Sequence, residues 1–178
     1  MKRNILYMTL TLLVCCFFGQ AVLAQKALEP KPSPMSVAAM KQGDAYVKVM
    51  YSRPHKRDRK VFGGLVPFGE VWRLGANEAT EITLTEDLMI NGNKLEAGTY
   101  SMYAIPEKDK WTLIFNNALG EWGHYNYKED MDVLRVDVST SKSDESYEPF
   151  TIMFNEAGTE MIIVWEDTQV VVPVSVSA

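Results

Sequence analysis

From Ala45 onward, apolar and polar residues alternate with a period of two rather than 3.6. Val47, Val49 and Tyr51 alternate with Lys48, Met50 and Ser52. Ile82 and Leu84 alternate with Glu81, Thr83 and Thr85, and Leu134, Val136 and Val138 alternate with Arg135 and Asp137. Each run has the pattern of a strand with one buried face. The residues expected to point inward are Val47, Val49, Ile82, Leu84, Leu113, Phe115, Leu134, Val136, Phe150, Ile152 and Ile163.

Turn chemistry punctuates these runs. Asn91-Gly92 separates Leu88-Met89-Ile90 from Asn93-Lys94-Leu95, and a type I′ hairpin turn requires positive φ at both central residues, which favours Asn-Gly. Gly98 precedes the run 100–105, Pro106 ends it, and residues 107–110 turn the chain into 111–115. Residues 155–159 join 150–154 to 161–165, and Glu166-Asp167 turns into 170–176, where Pro173 argues for an edge position because proline cannot donate to a ladder. The pattern predicts an all-β fold, an antiparallel β-sandwich or jelly roll of about nine strands. Only residues 37–42 have the look of a helix.

The first residues break with this pattern. Lys2 and Arg3 precede an almost wholly apolar run over residues 5–18, and Val22-Leu23-Ala24 offers compact residues for cleavage, the three parts of a signal peptide in order. The run is too short to span a bilayer and Gly19-Gln20 interrupts it, so a cleaved leader is expected rather than an anchor. The expected organisation is a signal peptide at 1–24, a leader segment at 25–43 with Pro30, Pro32 and Pro34, and one β domain at 44–178. Cys15 and Cys16 lie inside the apolar run, so cleavage after Ala24 leaves no thiol, disulfide or cysteine-ligated metal. Retention of an acylated Cys16 is the lipoprotein alternative, disfavoured because Leu13-Val14-Cys15 lacks small residues before it.

Loss of Lys2 and Arg3 takes the formal charge from −5 to −7 and leaves 154 of the 178 residues, enough for one domain with a real core. Such an acidic chain is a poor candidate for nucleic acid, and nothing else in it is apolar enough to cross a membrane. Two stretches, 53–80 and 116–131, fit no strand. Long irregular segments in compact domains commonly carry function.

The first opens on a basic run, Arg53-Pro54-His55-Lys56-Arg57-Asp58-Arg59-Lys60, suited to a carboxylate, phosphate or sulfated sugar, or else to pairing with nearby acids on a solvated surface. It continues through Trp72-Arg73, a flat apolar face beside a forked cation, to Asn77 and Glu78, with Glu78 as a candidate general base. The structural alternative is an Arg73 paired with Glu78 or Glu70 beneath a packed Trp72. The second stretch gathers Trp122, His124, Tyr125 and Tyr127, rings that suit sugar faces and equally suit the sealing of a sandwich end. With His55 the only other histidine, no zinc or cupin-type spacing exists, and neither metal nor cofactor is expected. A serine-hydrolase elbow, a dinucleotide fingerprint, His-Glu-x-x-His and a calcium loop are all missing. A glycosidase built on two of Glu70, Glu78, Glu81 and Glu121 stays open.

Ser52-Arg53-Pro54, Val61-Phe62-Gly63-Gly64-Leu65-Val66-Pro67, Glu70-Val71-Trp72-Arg73, Gly75-Ala76-Asn77-Glu78-Ala79-Thr80, Ala97-Gly98-Thr99-Tyr100-Ser101, Ile105-Pro106 and the run 111–116 together resemble the bacterial domain-of-unknown-function family 2911. The likeness continues weakly through Trp122-Gly123, Tyr127 and Trp165. It implies an exported β domain of Gram-negative bacteria and carries no activity with it. Leu74 departs from the family, which often has threonine there, and a missing hydroxyl weakens any contact through that position.

The leading expectation is a noncatalytic domain of the periplasm or cell surface that binds a small polar or saccharide-like ligand through Arg53, Arg73, Asn77, Glu78 and His124, with Trp72, Trp122 and Tyr125 as faces. The alternative is a structural or protein-interaction module, and the third reading is a carboxylate-dependent hydrolase or lyase. The leader generates the first prediction: the intact mass of the exported product corresponds to a chain starting at Gln25. A mass showing an acylated Cys16 at the N-terminus is the contrary outcome.

Overall fold

A computed structural model describes residues 31–177 of the chain. The signal-peptide expectation for 1–24 lies outside the described residues, as do residues 25–30 of the segment 25–43. The chain divides into Met1–Pro32, of which only Lys31 and Pro32 are described, and Ser33–Ala178, the compact β unit considered from here on.

Among the described residues, nine strands make one antiparallel sheet. They are β1 (Met35–Gln42), β2 (Ala45–Ser52), β3 (Thr80–Leu84), β4 (Leu88–Ile90), β5 (Asn93–Leu95), β6 (Gly98–Pro106), β7 (Lys110–Asn116), β8 (Asp132–Phe154) and β9 (Glu160–Val176). Their order is β1-β2-β3-β6-β7-β8-β9-β4-β5. The expected all-β antiparallel class is therefore what forms, with its strands in a single hydrogen-bonded ladder. No helix among the described residues is long and apolar enough to cross a membrane.

Alternation sets the register. Ten of the eleven residues expected to point inward are buried, and Leu134 packs partly buried against the same core. Asn91 and Gly92 take φ of 47° and 77°, closing the tight turn between β4 and β5.

Four expectations are corrected. Residues 37–42 are strand, not helix: β1 pairs with β2 along its whole length and buries Ala38 and Met40, two residues apart. So short a segment gains little from an isolated helix and more from a full ladder. The separate strands expected around 134–138 and 150–154 are the two ends of β8, whose first part pairs with β7 and whose remainder pairs with β9. Glu166 does not end a strand. It takes φ of 57° within β9, opposite the register shifts of β8 at Lys142 to Thr151, so the extra residues bend both strands without ending them. Pro173 is not on an edge strand either, since β9 lies between β8 and β4. It stands between the last residue paired with β8, Val170, and the first paired with β4, Val174, where no ladder bond needs its missing N–H.

The core centres on an aromatic cluster. Trp72 stacks on Trp165 with ring centroids 6.1 Å apart and meets Phe150 at 5.1 Å and Trp111 at 5.9 Å, and Tyr51 meets Phe150 edge-on at 5.7 Å. Trp72 comes from the first irregular stretch. It holds its place by a two-way bridge to β6: its N–H donates to the Ala104 carbonyl at 2.7 Å and its carbonyl accepts from Ala104 N–H at 2.9 Å. Phe150 is fully buried against three of these rings. Phe150→Ala should cost about 3–5 kcal/mol of unfolding free energy by denaturant titration; a loss below about 1 kcal/mol would show that the cluster does not anchor the fold.

Candidate functional site

Both irregular stretches expected to carry function are irregular in the structure, and they are tied together. Gly123 N–H donates to the Asn77 carbonyl at 3.0 Å, Ala79 N–H donates to the Glu121 carbonyl at 2.9 Å, and Glu78 and Trp122 face each other as a one-residue bridge. Each loop braces the other.

The first loop is shaped by close contacts. After Trp72 the chain turns so tightly that the Trp72 indole N–H donates to the Gly75 carbonyl at 3.1 Å, and the Thr80 hydroxyl donates to the Leu74 carbonyl at 2.6 Å. A Cβ on Gly75 would lie 2.9 Å from the Ser52 carbonyl oxygen, so only glycine lets the loop approach β2 this closely. Leu74 points fully into the core at φ 52°, so its departure from the family pattern touches packing and no ligand contact.

Between this loop, His124 and Trp165 lies a cleft of about 280 Å³. Trp72, Arg73 and His124 are the expected site residues that line it. Trp72 is nearly enclosed in the aromatic cluster and gives the cleft a floor rather than a stacking platform. Apolar wall comes from Val66, Pro67 and Val71, and charge comes from Arg59 and Glu70, both exposed. Arg73 is half-buried and makes neither a hydrogen bond nor an ion pair with any described residue through its side chain, and its Nε is sealed from solvent. The Nδ1 of His124 is likewise buried without a partner.

The other expected site residues are placed elsewhere. Arg53 is pinned to β8, donating from Nε to the Phe150 carbonyl at 3.2 Å and from Nη2 to the Thr151 hydroxyl at 2.9 Å. Asn77 takes φ of 58° and spends its amide on the Ser33 carbonyl and the Ser52 hydroxyl. Glu78 lines a separate groove with Glu81, Met50 and Gly120. Trp122 and Tyr125 are 56% and 74% exposed and do not line the cleft.

The basic run is mostly satisfied internally. Lys56 pairs with Glu166 at 3.4 Å, Arg57 N–H donates to the Glu148 carboxylate at 2.9 Å, and Arg59 donates to the Lys56 and His55 carbonyls at 2.8 and 2.9 Å. A surface run whose donors are spent on its own loop and on β8 and β9 is fixing that loop to the fold.

Sequence reasoning missed the network that fixes the second loop. Asp132 accepts from the Asn116 amide at 2.7 Å, the Tyr127 hydroxyl at 2.6 Å and Arg135 Nε at 2.7 Å, while Arg135 Nη2 donates to the Tyr127 oxygen at 2.8 Å. Asp132 and Arg135 lie at the start of a strand, where polar residues read as an ordinary solvent face. Burial, reinforced by donation to Asp132, pushes the Tyr127 hydroxyl up to about 12 from its ordinary 10.0.

The sequence profile of the family described as "Protein of unknown function (DUF2911)" matches residues 33–174. No curated protein and no solved structure matches the chain.

The raised Tyr127 value sets a pH dependence. Because the folded value lies above the unfolded one, its contribution is complete below pH 10 and is lost as pH rises towards 12. Tyr127→Phe should therefore flatten the fall in unfolding free energy across that window relative to the parent protein. Parallel curves for the two proteins would sink this assignment.

Proposed function

We propose, for a chain that belongs to the DUF2911 family, an exported, noncatalytic binding domain that takes one small polar molecule into the cleft between the first loop, His124 and Trp165. The observation that carries this reading is Arg73. A half-buried guanidinium without a partner among the described residues is costly to the folded chain, and a ligand in the cleft offers one. The volume, about 280 Å³, suits one small molecule of roughly monosaccharide size rather than a polymer segment. The mixed lining, apolar on Val66, Pro67, Trp72 and Trp165 and polar at Arg73 and His124, fits a ligand with an apolar side and a polar end.

Export rests on the order of charge, apolar run and compact residues over 1–24, and a Gram-negative periplasm or surface as its destination rests on the family resemblance. Binding is preferred to carboxylate-pair hydrolysis because Glu70 is the one acid lining the cleft, and that chemistry needs two flanking the bond. A second reading, a protein-interaction module, draws on Trp122 and Tyr125, large exposed rings three residues apart on the second loop.

A thermal-shift screen of the purified protein against sugars, sugar acids, amino acids and peptides tests the binding reading. A ligand at 100 times its Kd adds about 2.7 kcal/mol to stability. Ala76 lines the cleft, and Ala76→Phe should fill it, leaving the unliganded melting temperature nearly unchanged while abolishing the shift. A shift that survives this substitution would place the ligand elsewhere, and a shift lost only in Trp122→Ala and Tyr125→Ala would favour the second reading.

A further inference from the structure

Taking the cleft as the binding site, an inference that rests on the reading above, we infer that its ligand is a small monocarboxylate, gripped by the Nη groups of Arg73 and the Nε2–H of His124, with its apolar body against Val66 and Trp165.

The donors follow from what is sealed and what is open. Arg73 Nε is buried, whereas neither Nη is, and none of the three has a protein partner among the described residues. The end of the guanidinium that a ligand meets is thus the Nη fork, whose two parallel donors match the two oxygens of a carboxylate. Nη1 lies beside the second loop, 3.5 Å from where a Cβ on Gly123 would sit, which puts the cation next to the residue that precedes His124. His124 Nδ1 is buried without an acceptor, so a proton there would be a stranded donor. Nε2 is the nitrogen left open, and a proton carried there can reach a ligand in the cleft.

Charge narrows the class. The lining holds Arg59, Arg73 and Glu70, a single net positive charge, and Arg59 already donates to two backbone carbonyls. One free cation matches one negative charge, and the Glu70 carboxylate works against a dianion such as phosphate. Away from Arg73 and His124 the lining includes the apolar Val66, Pro67 and Trp165, so the part of the ligand that meets them is a compact apolar or ring-shaped body, and a neutral molecule of the same shape leaves the guanidinium unpaired.

Isothermal titration of the full-length processed protein with matched probes tests this: benzoate against benzyl alcohol, glucuronate against glucose, and inorganic phosphate. The expected result is that at least one acid binds about tenfold or more tighter than its neutral partner, as a charge-assisted pair implies, and tighter than phosphate. Arg73→Met should erase that preference, Arg73→Lys should restore only part of it because the fork is gone, and His124→Phe should weaken the acid while leaving the neutral probe unchanged. His124→Phe keeps the test decisive should Arg73→Met fold poorly. If acid and neutral partners bind alike and Ala76→Phe abolishes both, the cleft is the site but the carboxylate inference is overturned. Phosphate binding most tightly also overturns it. If neither these probes nor the wider ligand screen binds, both the inference and the cleft reading fall.

Discussion

The fold depends on Trp72 being planted in the core. The loop between β2 and β3 has few ladder bonds of its own, so something must offset the entropy of ordering it, about 1–2 kcal/mol per residue of backbone. Burying an indole of roughly 150–250 Å² at about 25 cal/mol per Å² contributes on the order of 4–6 kcal/mol. Edge and stacked contacts with Phe150, Trp111 and Trp165 add to that. The backbone bridge to Ala104 then fixes the direction of the chain as well as its position. It uses the part of β6 that β3, paired only as far as Met102, leaves open.

Once Trp72 points inward, the placement of Arg73 follows. Neighbouring residues in an extended segment face opposite ways, so the residue after a buried tryptophan must point away from the core. Here that direction leads into a cleft closed on its far side by the second loop, which the Asn77–Gly123 and Ala79–Glu121 bonds hold in place. Gly75 permits the turn and the Tyr127–Asp132–Arg135 network holds the other wall. The cationic end of the cleft is thus a product of core packing, and its shape rests on the fold itself.

Strand registers were legible because burial on one face writes a period of two, as in β2 and β3, where inward Val49 and Ile82 stand beside polar or less enclosed neighbours. The continuity of β8 and β9 was not legible. Their bends at Ser143 to Ser146 and at Glu166-Asp167 consist of small and charged residues that equally suit a turn, and only the partner strand decides between bend and break. The two stretches that hold the cleft stood out as departures from alternation, which is a real signal. Roles within them were partly hidden. Arg53 and Asn77 look like ligand contacts by residue type, yet Thr151, Ser33 and Ser52, remote in sequence from one or both, take up their donors.

That contrast separates structural charge from charge left for something else. The basic run that dominates the sequence spends its donors locally: Arg53 on β8, Lys56 on Glu166, Arg59 on its own loop. A satisfied guanidinium offers a ligand little, because any new bond replaces one already made. Arg73 stands alone in the sequence, without a charged neighbour on either side, and its side chain has no described partner. Packing rigid enough to hold a cation half-buried, yet supplying no anion to it, works against stability unless the opening beside it has a use. The arginine next to the buried tryptophan, rather than the basic run before it, is therefore the cation whose donors the described fold leaves uncommitted.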